Sequence, residues 1–96
     1  MAVLCNLGIA YQKLGDVRHA IRFFEQDLEI AREIGDLSGI ATVSFNTAIL
    51  YTQQGELRYA LPLAQEAAQA FEKIGHPEYT QQAQALIVQL HQLVGY

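Results

Sequence analysis

The chain has 96 residues, of which 51% are hydrophobic and 17% are charged, and its formal net charge at pH 7 is −4. That balance is typical of one globular domain and excludes an intrinsically disordered chain. Because ten acidic residues outnumber six basic ones and no basic stripe is visible, we do not expect nucleic acid as a partner.

Cys5 is the only cysteine, so no internal disulfide can form, and this favours a reducing, cytoplasmic location. Its apolar neighbours predict a buried, inert thiol.

No stretch approaches the roughly 18 consecutive apolar residues that span a membrane. The N-terminus lacks a basic region followed by an apolar one. The sequence therefore predicts neither a membrane partner nor a secretion signal.

Glycines that recur every twenty residues divide the chain into predicted helices. They are Gly15, Gly35, Gly55, Gly75 and Gly95. Each follows a stretch of helical apolar periodicity, and glycine ends a helix well because it adopts the left-handed conformation without a Cβ clash. We predict five helices, over about residues 2–14, 17–34, 37–54, 57–74 and 77–94.

The residues after these glycines predict where the next helices begin. Asp16 and Asp36 are good N-caps, because an aspartate side chain accepts a hydrogen bond from a free backbone N–H. Glu56 and His76 occupy the same place and are weaker caps. Pro62 lies inside the fourth helix and removes a backbone donor, so we expect a slight bend or a loosened first turn there.

The repeating unit is a pair of helices. A shift of forty residues aligns Asn6 with Asn46 and Tyr11 with Tyr51. Short loops make neighbouring helices antiparallel, and such pairs stack on one another. The sequence therefore predicts a single all-α domain, an α-solenoid of helical hairpins with two and a half repeats. The repeats cover about residues 1–35 and 36–75, and residues 76–96 are a half repeat or a cap.

The segment NLGIAYQKLGDVRHAIRFFEQDLEIAREIGD resembles a tetratricopeptide repeat of the forty-residue variety, as found in kinesin light chains, G-protein-signalling adaptors and many bacterial repeat proteins. The matching positions are Leu7, Gly8, Tyr11, Gly15, Ala20 and Phe24, then Ala48, Tyr51, Gly55 and Ala60. The motif works through packing: its small residues let paired helices approach, and its aromatic residues fill the remaining space.

Three features depart from the family pattern. Asp27 stands where an alanine is usual, so we expect looser packing at that joint. The fifth helix has Leu86, Val88 and His91 in place of the asparagine, the small residue and the tyrosine, and it is half a repeat. The first helix begins several residues inside its counterpart in the second repeat. We therefore expect the chain to be a piece of a longer array or a shortened version of one.

The resemblance implies a concave groove lined by the first helix of each pair, with a partner peptide held by the second, sixth, ninth and thirteenth positions of that helix. The candidate peptide-binding residues are Asn6, Ile9, Lys13, Thr42, Asn46, Ile49, Gln53, Gln82 and Gln89. The other groove positions are Ala2, Leu86 and Leu93.

Asn6 and Asn46 are the most informative of these candidates. An amide side chain both donates and accepts hydrogen bonds, so it can pair with the backbone of an extended peptide. The alternative is that the two amides tie neighbouring helices together. Some relatives clamp a C-terminal carboxylate with two asparagines and several cations. Because Gln82 and Gln89 stand where a cation would be needed, we do not expect a complete clamp.

No catalytic or metal-binding pattern appears in the sequence. His19, His76 and His91 are far apart in the helical scheme, and none has a second ligand at metal-binding spacing. Neither a Ser–His–Asp grouping nor a glycine-rich phosphate loop is present. We therefore expect no enzyme activity, no cofactor, no metal and no small-molecule substrate.

Apolar residues at both ends of the stack predict a second property, self-association. The candidates are Val3, Leu4, Leu7, Leu86, Ile87, Leu90 and Val94. Exposed apolar patches of this kind join copies into dimers or longer stacks. Two hypotheses result: a scaffold that binds a peptide of a partner protein in its groove, and a structural module that forms a homo-oligomer through its end helices.

Overall fold

The computed structural model describes residues 2–94, with side chains from Cys5 onward. That part of the chain is all helical apart from its turns, and it contains no strand. The helices are α1 (Ala2–Lys13), α2 (Val17–Ile34), α3 (Leu37–Gln53), α4 (Leu57–Lys73) and α5 (Pro77–Val94). The predicted all-α repeat fold is confirmed, and no helix boundary differs from its prediction by more than one residue.

Each turn between helices uses the same hydrogen bond. The glycines of the four described turns have φ angles between 70° and 82°. The N–H after each glycine bonds to the carbonyl five residues earlier, as in Asp16 to Tyr11 and His76 to Phe71, at 2.9 and 3.0 Å. The predicted glycine stops are thus confirmed, except for Gly95, which lies outside the described residues.

The predicted N-caps also form. The Asp16 carboxylate accepts the backbone N–H of His19 at 3.2 Å, and that of Asp36 accepts the N–H of Gly39 at 3.1 Å. Glu56 makes no side-chain cap bond. Helix α4 runs without interruption past Pro62, whose side chain is exposed in the second turn.

Small residues let the paired helices approach closely. A Cβ on Gly8 would lie 2.7 Å from the Phe24 ring, so a larger residue there would force α1 or the ring to move. Ala20, Ala48 and Ala60 are 0% exposed. These positions confirm the packing role that the repeat motif predicts for them.

The core continues along the stack, and α3 contributes to each of its three clusters. Val43 and Leu50 pack with α2 residues, Ala41 packs with α4 and α5 residues around Phe71, and Ala48 packs in a third cluster with Leu90. On the second helices of the two repeats, Arg32 forms a two-pronged ion pair with Glu66, at 2.8 and 2.5 Å.

Asp27 does not loosen the helix packing at its position, contrary to expectation. The residue is only 5% exposed. Burial raises the pKa of the Asp27 carboxyl above its ordinary value, and the negative charge of Asp36 raises it further.

Cys5 is half-buried rather than fully buried. Burial, together with the Asp27 charge, raises the pKa of the Cys5 thiol, which keeps it in the less reactive protonated form.

Candidate functional site

Helix α3 has one face that is buried in the core and an opposite face that is open to solvent. Thr42, Asn46, Ile49 and Gln53 follow the helical period along the open face, and they are exposed or half-buried. Ser44 and Thr47 point the other way and are fully buried. Their hydroxyls donate to the carbonyls of residues 40 and 43, so these two polar groups are satisfied inside the helix.

A pocket of about 340 Å³ lies where this open face meets the end of α4 and the beginning of α5. It is called the α3–α5 pocket here. Its lining residues are Ser38, Thr42, Phe45 and Asn46 from α3, Phe71 from α4, Ile74 and His76 from the turn between α4 and α5, and Tyr79 from α5.

Aromatic rings form the floor of the α3–α5 pocket. Phe71 stacks on Tyr79, with ring centroids 5.3 Å apart and planes 20° apart, and meets Phe45 edge to face at 6.1 Å. His76 leans against Tyr79 at 4.6 Å. Phe71 is 5% exposed and Tyr79 is 42% exposed, so the first is the base of the pocket and the second its rim. Contacts between the rings hold these aromatic side chains against one another at the base of the pocket.

Polar side chains line the α3 wall of the same pocket. Ser38, Thr42 and Asn46 make no side-chain hydrogen bond to any other described residue, and the same is true of Asn6 on α1. Within the described part of the chain, the two asparagines therefore do not tie helices together. The amide of Asn46 has donors and an acceptor available to a ligand beside an apolar pocket.

The pocket brings together only two of the predicted peptide-binding residues, Thr42 and Asn46. Ile49 and Gln53 continue along the same face of α3. The other candidates lie on other helices: Asn6 and Lys13 are exposed on α1, Ile9 packs against the core cluster of Phe24, and Gln82 and Gln89 are exposed on α5.

Sequence reasoning missed the aromatic residues, although a signal for them was present. Phe45, Phe71 and Tyr79 correspond, forty residues earlier, to the smaller Cys5, Ala31 and Gly39. The repeat fold therefore does not require aromatic side chains at these places. Comparing the repeats for differences, rather than for matches, would have identified the three rings.

Leu90, one of the residues predicted for self-association, lies in the core rather than on the surface. This side chain is 0% exposed, because alanines of α3 and α4 leave room for it in the core. Leu86 and Ile87 are half-buried against the same cluster, while Leu7 is 38% exposed. Val94 is half-buried beside Leu57 and Leu61. The side chains of Val3 and Leu4 lie outside the described part of the chain.

Polar residues dominate the side of α5 that carries no other helix. It consists of Gln81, Gln84, Ala85, Val88 and Gln92, which are all exposed.

No helix within residues 2–94 is long and apolar enough to cross a membrane. In the same part of the chain, no group of three acidic, histidine or cysteine side chains could hold a metal ion.

Comparison with known proteins gives one result at the family level. The family model described as tetratricopeptide repeat matches residues 1–87. Comparison with curated proteins and with solved structures gave no match. Repeats of this kind generally mediate protein–protein interaction and act as non-catalytic scaffolds.

Proposed function

Because the chain belongs to the tetratricopeptide repeat family, we propose that it is a scaffold that holds an extended segment of a partner protein along the open face of α3. The α3–α5 pocket is the observation that carries this proposal. An aromatic floor lies beside three polar side chains that have no partner among the described residues, and this combination is typical of sites that anchor one side chain and pair with the adjoining backbone.

The proposed binding mode uses two kinds of contact. A bulky apolar side chain of the partner enters the α3–α5 pocket and contacts Phe71 and Tyr79. The amide of Asn46 then pairs with the partner backbone through its N–H and C=O groups. The rest of the segment follows Ile49 and Gln53 along α3, where Asn6 and Lys13 on α1 and Gln82 and Gln89 on α5 extend the contact surface.

Binding of a labelled peptide library, followed by fluorescence anisotropy of the selected peptides, tests this proposal. Tyr79→Ala is expected to weaken binding about tenfold, because a rim aromatic at an anchor pocket contributes more than 1 kcal/mol. Asn46→Ala is expected to weaken it about fivefold through lost hydrogen bonds. Alanine favours helix, so the second variant should not unfold the chain.

Tyr59→Ala is the matched control, because Tyr59 is 61% exposed on α4 and does not line the α3–α5 pocket. We expect it to bind the selected peptides as the parent chain does. Equal losses in the Tyr59 and Tyr79 variants, or failure of every library peptide to bind, would contradict the proposal.

Self-association through α5 is a second candidate function. Val88 and Leu93 are 57% and 56% exposed on this helix, and they support the idea of contact with a second copy. Light scattering across a range of concentrations tests it. A dimer that becomes a monomer in the double variant Val88→Gln, Leu93→Gln would support self-association, whereas a monomer at every concentration would exclude it.

A further inference from the structure

The charges of this chain are divided between the two edges of the stack. Since the helices are antiparallel, the turns at Gly35 and Gly75 lie at one edge and those at Gly15 and Gly55 at the other. Ser38, Ile74, His76 and Tyr79 are next to the first of these edges, so this is the edge of the α3–α5 pocket, called the pocket edge here.

The half of the stack at the pocket edge is strongly acidic. Dividing each helix at its middle places seven acidic and two basic residues there, a formal charge of −5. They are Asp27, Glu29, Glu33, Asp36, Glu66, Glu72 and Glu78, with Arg32 and Lys73. The opposite half holds four basic and three acidic residues, a formal charge of +1, and the two values account for the net charge of −4.

Two of these carboxylates lie next to the pocket itself. Glu72 lines a neighbouring hollow with His76 and Pro77, and His76 is shared with the α3–α5 pocket. Glu78 precedes the rim residue Tyr79 and is exposed. The Debye length is about 8 Å at physiological salt, so charges this close to the rim act on a bound ligand whereas those at the far edge are screened.

We infer that the α3–α5 pocket selects partner segments in which lysine or arginine stands beside a bulky apolar residue. The apolar side chain enters the pocket, and the basic side chains lie toward Glu72 and Glu78. Their aliphatic stems contact Ile74 and Pro77, and their charges meet the carboxylates. This inference rests on the proposed function, because it names the class of segment that the groove holds.

Three labelled peptides that differ only in charge provide the first part of the test. Each has a central phenylalanine, and the residues on both sides are lysine, serine or glutamate. We expect the lysine peptide to bind about tenfold more tightly than the glutamate peptide at low salt, with the serine peptide between them. The difference should shrink as salt is added, because surface charges are screened.

Charge reversal on the protein is the second part. Glu72→Lys should weaken the lysine peptide about fivefold and leave the serine peptide unchanged, in proportion to one exposed ion pair. Glu72 is in the last turn of α4, where the helix dipole favours a cation, so the variant should fold. Glu56→Lys changes the net charge equally at the opposite edge and should have less than a twofold effect.

The outcomes separate this inference from the proposed function. If the serine peptide binds and the lysine peptide has no advantage, the inference is overturned while peptide binding stands. The same conclusion follows if Glu56→Lys and Glu72→Lys have equal effects, since net charge alone would then explain them. If none of the three peptides binds, the inference and the proposed use of the pocket are both overturned.

Discussion

Asp27 carries a carboxylate into the packed joint between repeats, at a position where the family pattern has alanine. Its raised pKa means that the folded chain binds a proton at Asp27 more tightly than the unfolded chain does. The contribution of Asp27 to the free energy of unfolding is therefore highest at low pH, and it falls as pH rises through the ordinary and then the folded pKa of this group. At neutral pH the buried charge opposes folding.

Asp27→Asn should raise the free energy of unfolding at pH 7 by about 1 kcal/mol, because it removes a charge from a site with little access to water. The gain should shrink as pH falls towards the ordinary aspartate pKa of about 4. Urea unfolding at the two pH values measures it. Glu29→Gln changes the same charge at an exposed position of α2, and an equal gain there would show that burial of Asp27 is not the cause.

Gly8 sets the distance between α1 and α2. Gly8→Ala should lower the free energy of unfolding by about 1–2 kcal/mol, since the new methyl group meets the Phe24 ring and outweighs the better helix propensity of alanine. Thermal unfolding followed by circular dichroism would detect this loss. The exposed position Gln12 of the same helix should accept alanine without loss, and a Gly8→Ala chain as stable as its parent would disprove the close approach.

The second helices of the two repeats, α2 and α4, are joined on the surface by Arg32 and Glu66. The Arg32 side chain is 49% exposed and that of Glu66 is 29% exposed, so water and salt screen the pair despite its good geometry. A double-mutant cycle with Arg32→Met and Glu66→Gln should give a coupling energy of about 0.5–1 kcal/mol that declines as salt is added. A coupling of several kcal/mol would require a far less exposed pair than this.

Helix boundaries could be predicted from sequence because they depend on local chemistry. The capping bonds of Asp16 and Asp36 and the positive φ of the glycines involve only residues close together in the chain. Leu90 could not be placed in the same way, because its burial depends on alanines of two other helices. The floor of the α3–α5 pocket was missed for a related reason: Phe45, Phe71 and Tyr79 come from three helices and meet only in the folded stack.

Taken as a whole, the molecule is a short stack with unequal surfaces. The free side of α5 is rich in glutamine, which suits contact with water, whereas the open face of α3 combines aromatic and amide groups. The pocket edge is acidic and the opposite edge is weakly basic, and the open face of α3 extends from one edge to the other. The α3–α5 pocket lies where the aromatic end of that face meets the acidic pocket edge.

Amide chemical-shift mapping would show where a bound peptide lies on this stack. Titrating the isotope-labelled chain with a library peptide should shift the signals of Phe45, Asn46 and Tyr79 most, since these residues line the α3–α5 pocket. Signals of Glu29 and Glu33, which are exposed on α2, should stay unchanged. If the largest shifts fall on α2, and the pocket signals do not move, the partner is not held along the open face of α3.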